Sequence, residues 1–367
     1  MLARKAGDAG LIPAHIFSIM YPMTAQEYLE HRLQTCSQYS LTEYEKQLAS
    51  ENLKDFLFTQ LTRKKFRRWK LSDIARERLI GVLEYCIPKK LPLLVRFRFG
   101  GYKLWRMPTT PGVDWAKFFA IAHYAAYLAP VLAAYEPGVK LLFMSDDVFV
   151  EPMDNVSKSS TESYYQSFLT LLQEFKKYTQ KNFDIEIIRH SSLYASEEAL
   201  QKELDEKIQE IEPIWKEKMT PEKLKTSLAI SALNIKWDGV KDLTGLTEAE
   251  KEKFVERGVL FHEALVKVPT IRAFSDNNPA MFSISCGLIP SVVSIGTTKS
   301  SVAKFWAGIG VLEERDGMYY DLYYDRVLSP SQFVRMQEVE KQDVPIQLIP
   351  LNNFLHVSIY KEGFNYA

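Results

Sequence analysis

The first residues that could do chemistry follow an apolar run in the first third of the chain. Arg96 and Arg98 lie two apart in LPLLVRFRF, so on a strand both side chains project from one face. A glycine pair then allows a tight turn, and Lys103 adds a third cation. Planar guanidinium groups bind oxyanions through two hydrogen bonds, so this cluster suits a phosphate or a carboxylate. Pairing of both arginines with acidic residues elsewhere in the protein explains the pattern equally well.

Two further apolar runs also end in polar residues. VKLLFM is followed by Ser145, Asp146 and Asp147, and adjacent carboxylates can hold a divalent cation, transfer protons or orient a sugar hydroxyl. Capping of local N–H groups in a turn is the alternative role, and the apolar strand before them favours a site. FDIEIIR is followed by His190, whose imidazole can exchange protons near neutral pH, although a single histidine is more often structural.

A fourth candidate is the hydroxyl-rich segment SIGTTKSS at 294–301, which contains Lys299. Its composition resembles that of a phosphate-binding loop built from backbone N–H groups and an ammonium group. It lacks the adjacent Gly-Lys-Ser/Thr of a Walker A motif. The GIG at 308–310 lacks the third glycine of a dinucleotide fingerprint, and the HE at 262–263 lacks the second histidine of a zinc protease. These negatives disfavour three common enzyme classes.

The elements that must position these residues follow a β-α-β-α-β order. Strands are predicted at 91–99, 139–144 and 183–189, with helices at about 114–135 and 161–180 between them. This order predicts an α/β fold with a mostly parallel, Rossmann-like central sheet and helices on both faces, in which the three strands are neighbours. The candidate residues then lie beyond the carboxyl ends of the strands, where open α/β sheets bind their ligands.

Helix-start signals organise the rest of the chain. Residues 1–90 are predicted to form a helical N-terminal segment, because Thr24, Thr42 and Ser72 each precede a periodic apolar pattern. Residues 91–367 are predicted to form an α/β domain of catalytic type with a helical insertion at about 195–265. The β-type runs after residue 280 either complete the same sheet or form a mostly antiparallel addition.

Charge and composition argue against several classes of function. With 46 Lys+Arg and 46 Asp+Glu, the chain has no net attraction to nucleic acid or to an anionic membrane. The basic run LTRKKFRRWK at 61–70 is therefore interpreted as a solvated helix end. The apolar stretch at 118–135 approaches the length of a membrane span, but Pro130 favours a buried helix that is kinked or ended there. Three widely spaced cysteines offer no disulfide framework or CxxC zinc site and fit a cytoplasmic protein.

In its order of motifs the chain resembles the pyoverdine/dityrosine biosynthesis family, whose best understood members are isocyanide synthases. The resemblance rests on LPLLVRFRFGGYK at 91–103 and YEPGVKLLFMSDDVF at 135–149, and it covers roughly residues 75–363. The Ser-Asp at 145–146 is its most specific part. The chain departs from the family where Asp147 replaces a glycine. It also departs where MFSIS at 281–285 lacks the Arg and the His of an Arg-x-Ser-x-His pattern.

The resemblance implies a lyase-type enzyme of secondary metabolism. Such an enzyme condenses the amine of an aromatic amino acid with the ketone of ribulose 5-phosphate and fragments the adduct to leave an isocyanide. The implied partners are these small molecules, with no nucleic acid, membrane, metal or redox cofactor. Motif position carries over Lys103 and Asp146. The places after predicted strands suggest Asp146, Asp147 and His190 for acid–base catalysis, and Arg96, Arg98, Lys103 and Lys299 for binding phosphate and carboxylate.

Two other functions stay open at this point. A metal-dependent glycosyltransferase or nucleotidyltransferase would use Asp146 and Asp147 to hold a magnesium or manganese ion that bridges a nucleotide diphosphate. A non-catalytic relative would keep the fold and bind a ligand without turnover, which the missing late Arg and His favour.

Overall fold

A computed structural model describes residues 24–99, 113, 115–145, 147, 149–232, 235–285 and 289–296, together with the later strands. The helices are α1 (Ala25–Thr35), α2 (Glu43–Glu51), α3 (Leu53–Leu61), α4 (Asp73–Lys89), α5 (Trp115–Ala134), α6 (Val150–Asp154), α7 (Lys158–Tyr178), α8 (Glu197–Lys218), α9 (Pro221–Ala232), α10 (Glu248–Leu265) and α11 (Pro269–Asp276). The strands are β1 (Leu93–Phe99), β2 (Val139–Ser145), β3 (Phe183–Arg189), β4 (Met281–Ser285), β5 (Val293–Ser294), β6 (Ile309–Arg315), β7 (Met318–Tyr319), β8 (Val327–Leu328), β9 (Gln347–Leu351) and β10 (Leu355–Lys361).

The helical N-terminal segment begins its helices at the predicted residues. Thr24 and Thr42 each form a capping box with the glutamate three residues later, at the starts of α1 and α2. Ser72 accepts a hydrogen bond from the N–H of Ala75 at the start of α4. These caps satisfy N–H groups that the first turn of a helix leaves without an intrahelical acceptor, so the helix starts are encoded locally.

The first sheet has five strands in the order β3-β2-β1-β4-β5, and every pair in it is parallel. The prediction that the strands near 91–99, 139–144 and 183–189 are neighbours is confirmed. β4 and β5 lie on the other side of β1, so the chain returns across the sheet between β3 and β4. Helices flank the sheet, and the apolar side chains of β1 to β3 pack on α5 and α7 through contacts such as Phe97 with Tyr124 and Phe143 with Phe168.

The late β-type runs divide between the two predicted outcomes. β4 and β5 complete the first sheet, whereas β6 to β10 form a second sheet in the order β7-β6-β10-β9, with β8 also paired to β6. The second sheet is mixed, because β6 and β10 pair parallel and its other pairs are antiparallel.

Helix α5 lies between the two sheets. It contacts β2 of the first sheet and both β6 and β10 of the second. Among the described residues one helical stretch, Ala116–Ala134, has the length and composition of a membrane span, and 89% of it is buried inside the protein. The prediction of a buried helix is therefore confirmed. The helix continues past Pro130 to Ala134, because Val131 and Leu132 are buried and packing holds the last turn.

The segment between β3 and β4 has a hydrophobic core of its own. Side chains of α8, α10 and α11 form this core around Trp215, Leu204 and Phe261, and Phe149 joins it from the turn before α6. The helices α8, α9 and α10 lie within the range 195–265, and α11 follows it. That this range is an insertion in an α/β domain of catalytic type stays a prediction.

The basic run at 61–70 does more than end a helix. α3 ends at Leu61, and the run then pairs antiparallel with the end of β5. The N–H of Arg68 donates to the carbonyl of Ser294 at 3.0 Å, and the N–H of Gly296 donates to the carbonyl of Phe66 at 2.6 Å. The interpretation as a solvated helix end is thus incomplete, because backbone pairing with an edge strand leaves no signal in side-chain composition.

Candidate active site

The carboxyl ends of β2 and β3 bring two of the predicted site residues close together. Ser145 and Arg189 are register partners, and the N–H of His190 donates to the carbonyl of Ser145 at 3.2 Å. One residue further on, the hydroxyl of Ser191 donates to the carboxylate of Asp147. Asp147 is half-buried. Its carboxylate accepts the hydrogen bond from Ser191 at the edge where a parallel sheet binds ligands. A carboxylate in this position can accept a proton, or it can accept a hydrogen bond from a substrate hydroxyl.

His190 is buried, with 1% of its surface exposed. Its ring centroid lies 5.8 Å from that of Phe149, which lies 5.6 Å from that of Phe261 on α10. The imidazole therefore packs where the strand ends meet the helical insertion. This aromatic contact packs the segment that carries Ser191 against the insertion, and an acid–base role for His190 stays a prediction.

Arg189 is occupied by contacts with α7. Its guanidinium lies 2.7 Å from the Glu162 carboxylate and 3.8 Å from the ring centroid of Tyr165. The hydrogen bond with Glu162 raises the pKa of Arg189 and lowers the pKa of Glu162. The pair thus fixes the end of β3 against the first turns of α7.

Arg96 lies on the face of β1 opposite the side chains that pack on α5. Its neighbours in register are Leu142 on β2 and Ser283 on β4. Val95 and Phe97 point to the other face and are buried in the main core. Arg98 lies two residues further along β1, beside Met144. That the two arginine side chains project from one face stays a prediction.

Lys103, Asp146 and Lys299 lie outside the described residues. Asp146 falls between two residues of the site, Ser145 and Asp147. Lys299 comes three residues after Gly296, which follows β5. In the sheet, β1 and β4 separate β5 from β2. That these residues line one pocket with the two strand arginines stays a prediction.

Sequence reasoning missed Lys117, which is fully buried in the first turn of α5. Its ammonium lies 5.9 Å from the ring centroid of Tyr164, a buried residue near the start of α7. Helices that follow parallel strands begin at the carboxyl edge of the sheet, so both residues lie on the side of the fold that carries Asp147. Burying an ammonium group is costly, and such residues concentrate at functional sites. The sequence did contain a signal that could have identified this residue, because Lys117 is the one Lys, Arg, Asp or Glu in α5.

No group of three or more His, Cys, Asp or Glu side chains is placed to hold a metal ion within the residues that the structure describes. An open parallel sheet with polar side chains gathered at its carboxyl edge is typical of α/β proteins that bind or transform small molecules.

Comparisons with known proteins give a fold likeness. No protein-family model and no curated protein matches the chain. Among solved structures, the crystal structure of the PvcA protein from Pseudomonas aeruginosa is similar, with a TM-score of 0.58 over 84% of this chain and 99% of the PvcA chain. The two sequences are 11% identical over this alignment, so the likeness is one of fold.

Proposed function

We propose that the chain is an isocyanide synthase-like enzyme that joins an amino-acid amine to a pentulose phosphate, ribulose 5-phosphate, and fragments the adduct. The observation that carries the proposal is the PvcA-like fold over 84% of the chain. The resemblance of the 91–103 and 135–149 segments to the pyoverdine/dityrosine biosynthesis family is a second line of support. These two segments contain β1 and β2.

Proton transfers are the chemistry that this chain's residues have to supply. Imine formation needs a proton for the departing water, and cleavage of a carbon–carbon bond needs an acceptor for a proton from a sugar hydroxyl. We assign these transfers to Asp146 and Asp147, with Ser191 positioning the Asp147 carboxylate. Arg96, Arg98, Lys103 and Lys299 are assigned to the phosphate and the amino-acid carboxylate, and Lys117 joins them as a further cation at the same edge of the sheet.

The direct test is turnover. The purified protein is incubated with ribulose 5-phosphate and each aromatic amino acid, and isocyanide product is trapped with a tetrazine and detected by mass spectrometry. Asp147→Asn keeps the shape of the side chain and removes its basicity, so turnover should fall roughly 100-fold or more. Glu206→Gln, which removes one exposed carboxylate from α8, is the matched control and should retain wild-type turnover.

Ligand binding separates the remaining functions. Ribulose 5-phosphate without magnesium should raise the melting temperature of both the wild type and Asp147→Asn, since a saturating ligand at 100 times Kd stabilises by about 2.7 kcal/mol. Stabilisation by a nucleotide sugar that requires magnesium would instead establish the metal-dependent transferase. Stabilisation by the sugar phosphate without turnover with any amino acid would establish a non-catalytic relative.

A further inference from the structure

The connection between α3 and α4 carries a concentration of positive charge. Residues 56–72 contain six lysines and arginines and no aspartate or glutamate, in a chain whose total charge is balanced. The side chains of Lys64, Lys65 and Lys70 are exposed, and that of Arg67 is half-buried. None of these four forms an ion pair with a carboxylate among the residues that the structure describes. Their charge is therefore available to a partner.

Core and backbone contacts fix this connection in place. Phe66 and Leu71 are buried and anchor its two ends in the protein. Between them, the backbone pairs with the end of β5 through the hydrogen bonds of Arg68 and Gly296 described above. The cations therefore project from an ordered surface, and binding does not have to order the backbone, which lowers its entropic cost.

Exposed apolar side chains lie in the same region. Trp69, Ile74 in the first turn of α4, and Ile289 are all exposed, and Ile74 has 57% of its surface accessible. The hydroxyl of Ser72 donates to the carbonyl of Pro290, so Ile289 lies next to the start of α4. We call the apolar and basic side chains together the basic–apolar surface, which consists of Lys64, Lys65, Arg67, Trp69, Lys70, Ile74 and Ile289.

Two acidic side chains flank the basic–apolar surface. Asp73 and Glu77 are exposed in the first turns of α4, and the exposed Arg76 lies between them in the sequence. The cations of the surface outnumber these carboxylates. At about 0.1 M salt, charges more than about 10 Å apart are largely screened, so this local excess has more influence on binding than the zero net charge of the chain.

The combination of positive charge and exposed aliphatic side chains indicates the partner. Phosphate groups of nucleic acids and of lipids both attract lysine and arginine. Nucleic acid bases stack on aromatic rings, which would use Trp69 and leave the two isoleucines in water. The boundary between lipid headgroups and acyl chains accepts both tryptophan and aliphatic side chains, and anionic lipids attract clusters of cations. The basic–apolar surface therefore fits a lipid surface better.

We propose that the basic–apolar surface binds an anionic lipid bilayer. Trp69, Ile74 and Ile289 enter the boundary between headgroups and acyl chains, and the cations contact lipid phosphates. The protein then associates with the membrane from one side, while α5 stays buried in the fold. The proposal does not depend on the proposed function, because none of these residues is assigned to the strand-end site.

Vesicle binding tests the charge requirement. The full chain is sedimented with vesicles of phosphatidylcholine alone and with vesicles that contain about 30% phosphatidylserine. Affinity for the anionic vesicles should be at least tenfold higher, and it should fall at least tenfold when NaCl is raised from about 0.05 M to about 0.5 M. Equal binding to the two kinds of vesicle would overturn the proposal. Tighter binding to a single-stranded oligonucleotide than to anionic vesicles would also overturn it, since the surface would then recognise nucleic acid.

Variants locate the contact with the vesicle. Replacing both Lys64 and Lys70 by Gln should weaken binding to anionic vesicles about 25-fold, because each cation near an anionic membrane contributes about fivefold. Trp69→Ser and Ile74→Ser should each weaken it at least fivefold, since each removes an apolar side chain that enters the bilayer.

Matched controls lie on α8, away from this surface in the sequence. Replacing both Lys202 and Lys218 by Gln, and replacing the exposed Ile214 by Ser, should each leave vesicle affinity within twofold. Circular dichroism establishes that each variant is folded. Equal losses in the α8 variants would show that binding is not localised. Unchanged binding in folded Trp69→Ser and Ile74→Ser proteins would show that no apolar side chain of this surface enters the bilayer, and would refute the proposal.

Discussion

At the scale of single residues, His123 is an ionisable group confined to a core that excludes its charged form. It has 3% of its surface exposed on α5, and its ring lies 5.2 Å from that of Phe66. Burial, and to a smaller extent the positive charge of Lys65, lowers the pKa of His123 to about 4. The imidazole is therefore neutral in the folded protein at pH 7.

This burial predicts an acid-sensitive stability. Above pH 6.5 the imidazole is neutral in both the folded and the unfolded chain and contributes no pH dependence. As the pH falls from 6.5 towards 4, the unfolded chain takes up a proton that the folded chain cannot accept, so stability is lost. Between pH 7 and pH 5 this loss amounts to about 2 kcal/mol. In urea denaturation at these two pH values, His123→Phe should lose about 2 kcal/mol less than the wild type.

Two further variants control this prediction. His123→Gln is also neutral and should show the same reduced loss even if it lowers stability at pH 7. Lys65→Met removes the nearby positive charge, so the pKa of His123 should rise and the loss should shrink partly. Equal losses in the wild type and both His123 variants would contradict the assignment.

The candidate site was predictable to the extent that chain order fixes it. Asp147 and His190 follow adjacent parallel strands, so they had to meet at one edge. The role of each side chain was not predictable. The partner of Asp147, Ser191, and the partner of His190, Phe149, both lie in the short turns that follow the strands. Lys117 was missed since its burial depends on how α5 packs and not on the residues beside it.

At the scale of elements, the boundaries were more predictable than the neighbours. The caps at Thr24, Thr42 and Ser72 act over three residues, so the sequence contains them in full. The position of β4 beside β1 requires a connection through α8 to α11, and no local pattern encodes a contact at that separation. The pairing of residues 66–68 with β5 escaped prediction for the same reason.

The attachment of the loop after α9 to α6 makes a testable prediction about two glycines. A Cβ at Gly239 would lie 1.8 Å from the backbone carbonyl oxygen of Asn155, so Gly239→Ala must displace the main chain. A Cβ at Gly245 would meet nothing within 4 Å. In urea denaturation, Gly239→Ala should lower the free energy of unfolding by roughly 2 kcal/mol or more, and Gly245→Ala should change it by about 0.5 kcal/mol or less. Similar values for the two variants would show that the loop does not approach α6 this closely.

At the scale of the whole molecule, α5 joins the two sheets. The α5 side chains of Phe118, Phe119, Tyr124 and Leu128 are fully buried, and the helix contacts strands that are far apart in the chain, β2 and β10. The second sheet therefore helps to cover α5, which is strongly apolar.

This role predicts the effect of removing the second sheet. A chain that ends at residue 305 should expose one side of α5, bind a hydrophobic dye such as ANS and self-associate, because large apolar patches on soluble proteins promote association. Dye fluorescence and sedimentation velocity measure both effects. Addition of residues 306–367 as a separate polypeptide should reduce the dye signal. A truncated chain that stays monomeric and binds no dye would show that α5 is covered without the second sheet.

The same arrangement sets an order of events during synthesis. A bacterial or eukaryotic ribosome adds roughly 5–20 residues per second, so about 10–35 s pass between the completion of α5 at Ala134 and the appearance of β6 at Ile309. Throughout that interval the nascent chain holds an apolar helix that the strands still to come have not covered. We therefore expect a ribosome-associated chaperone to bind the growing polypeptide at α5. Slow codons between α5 and β6 would prolong the exposure of this helix.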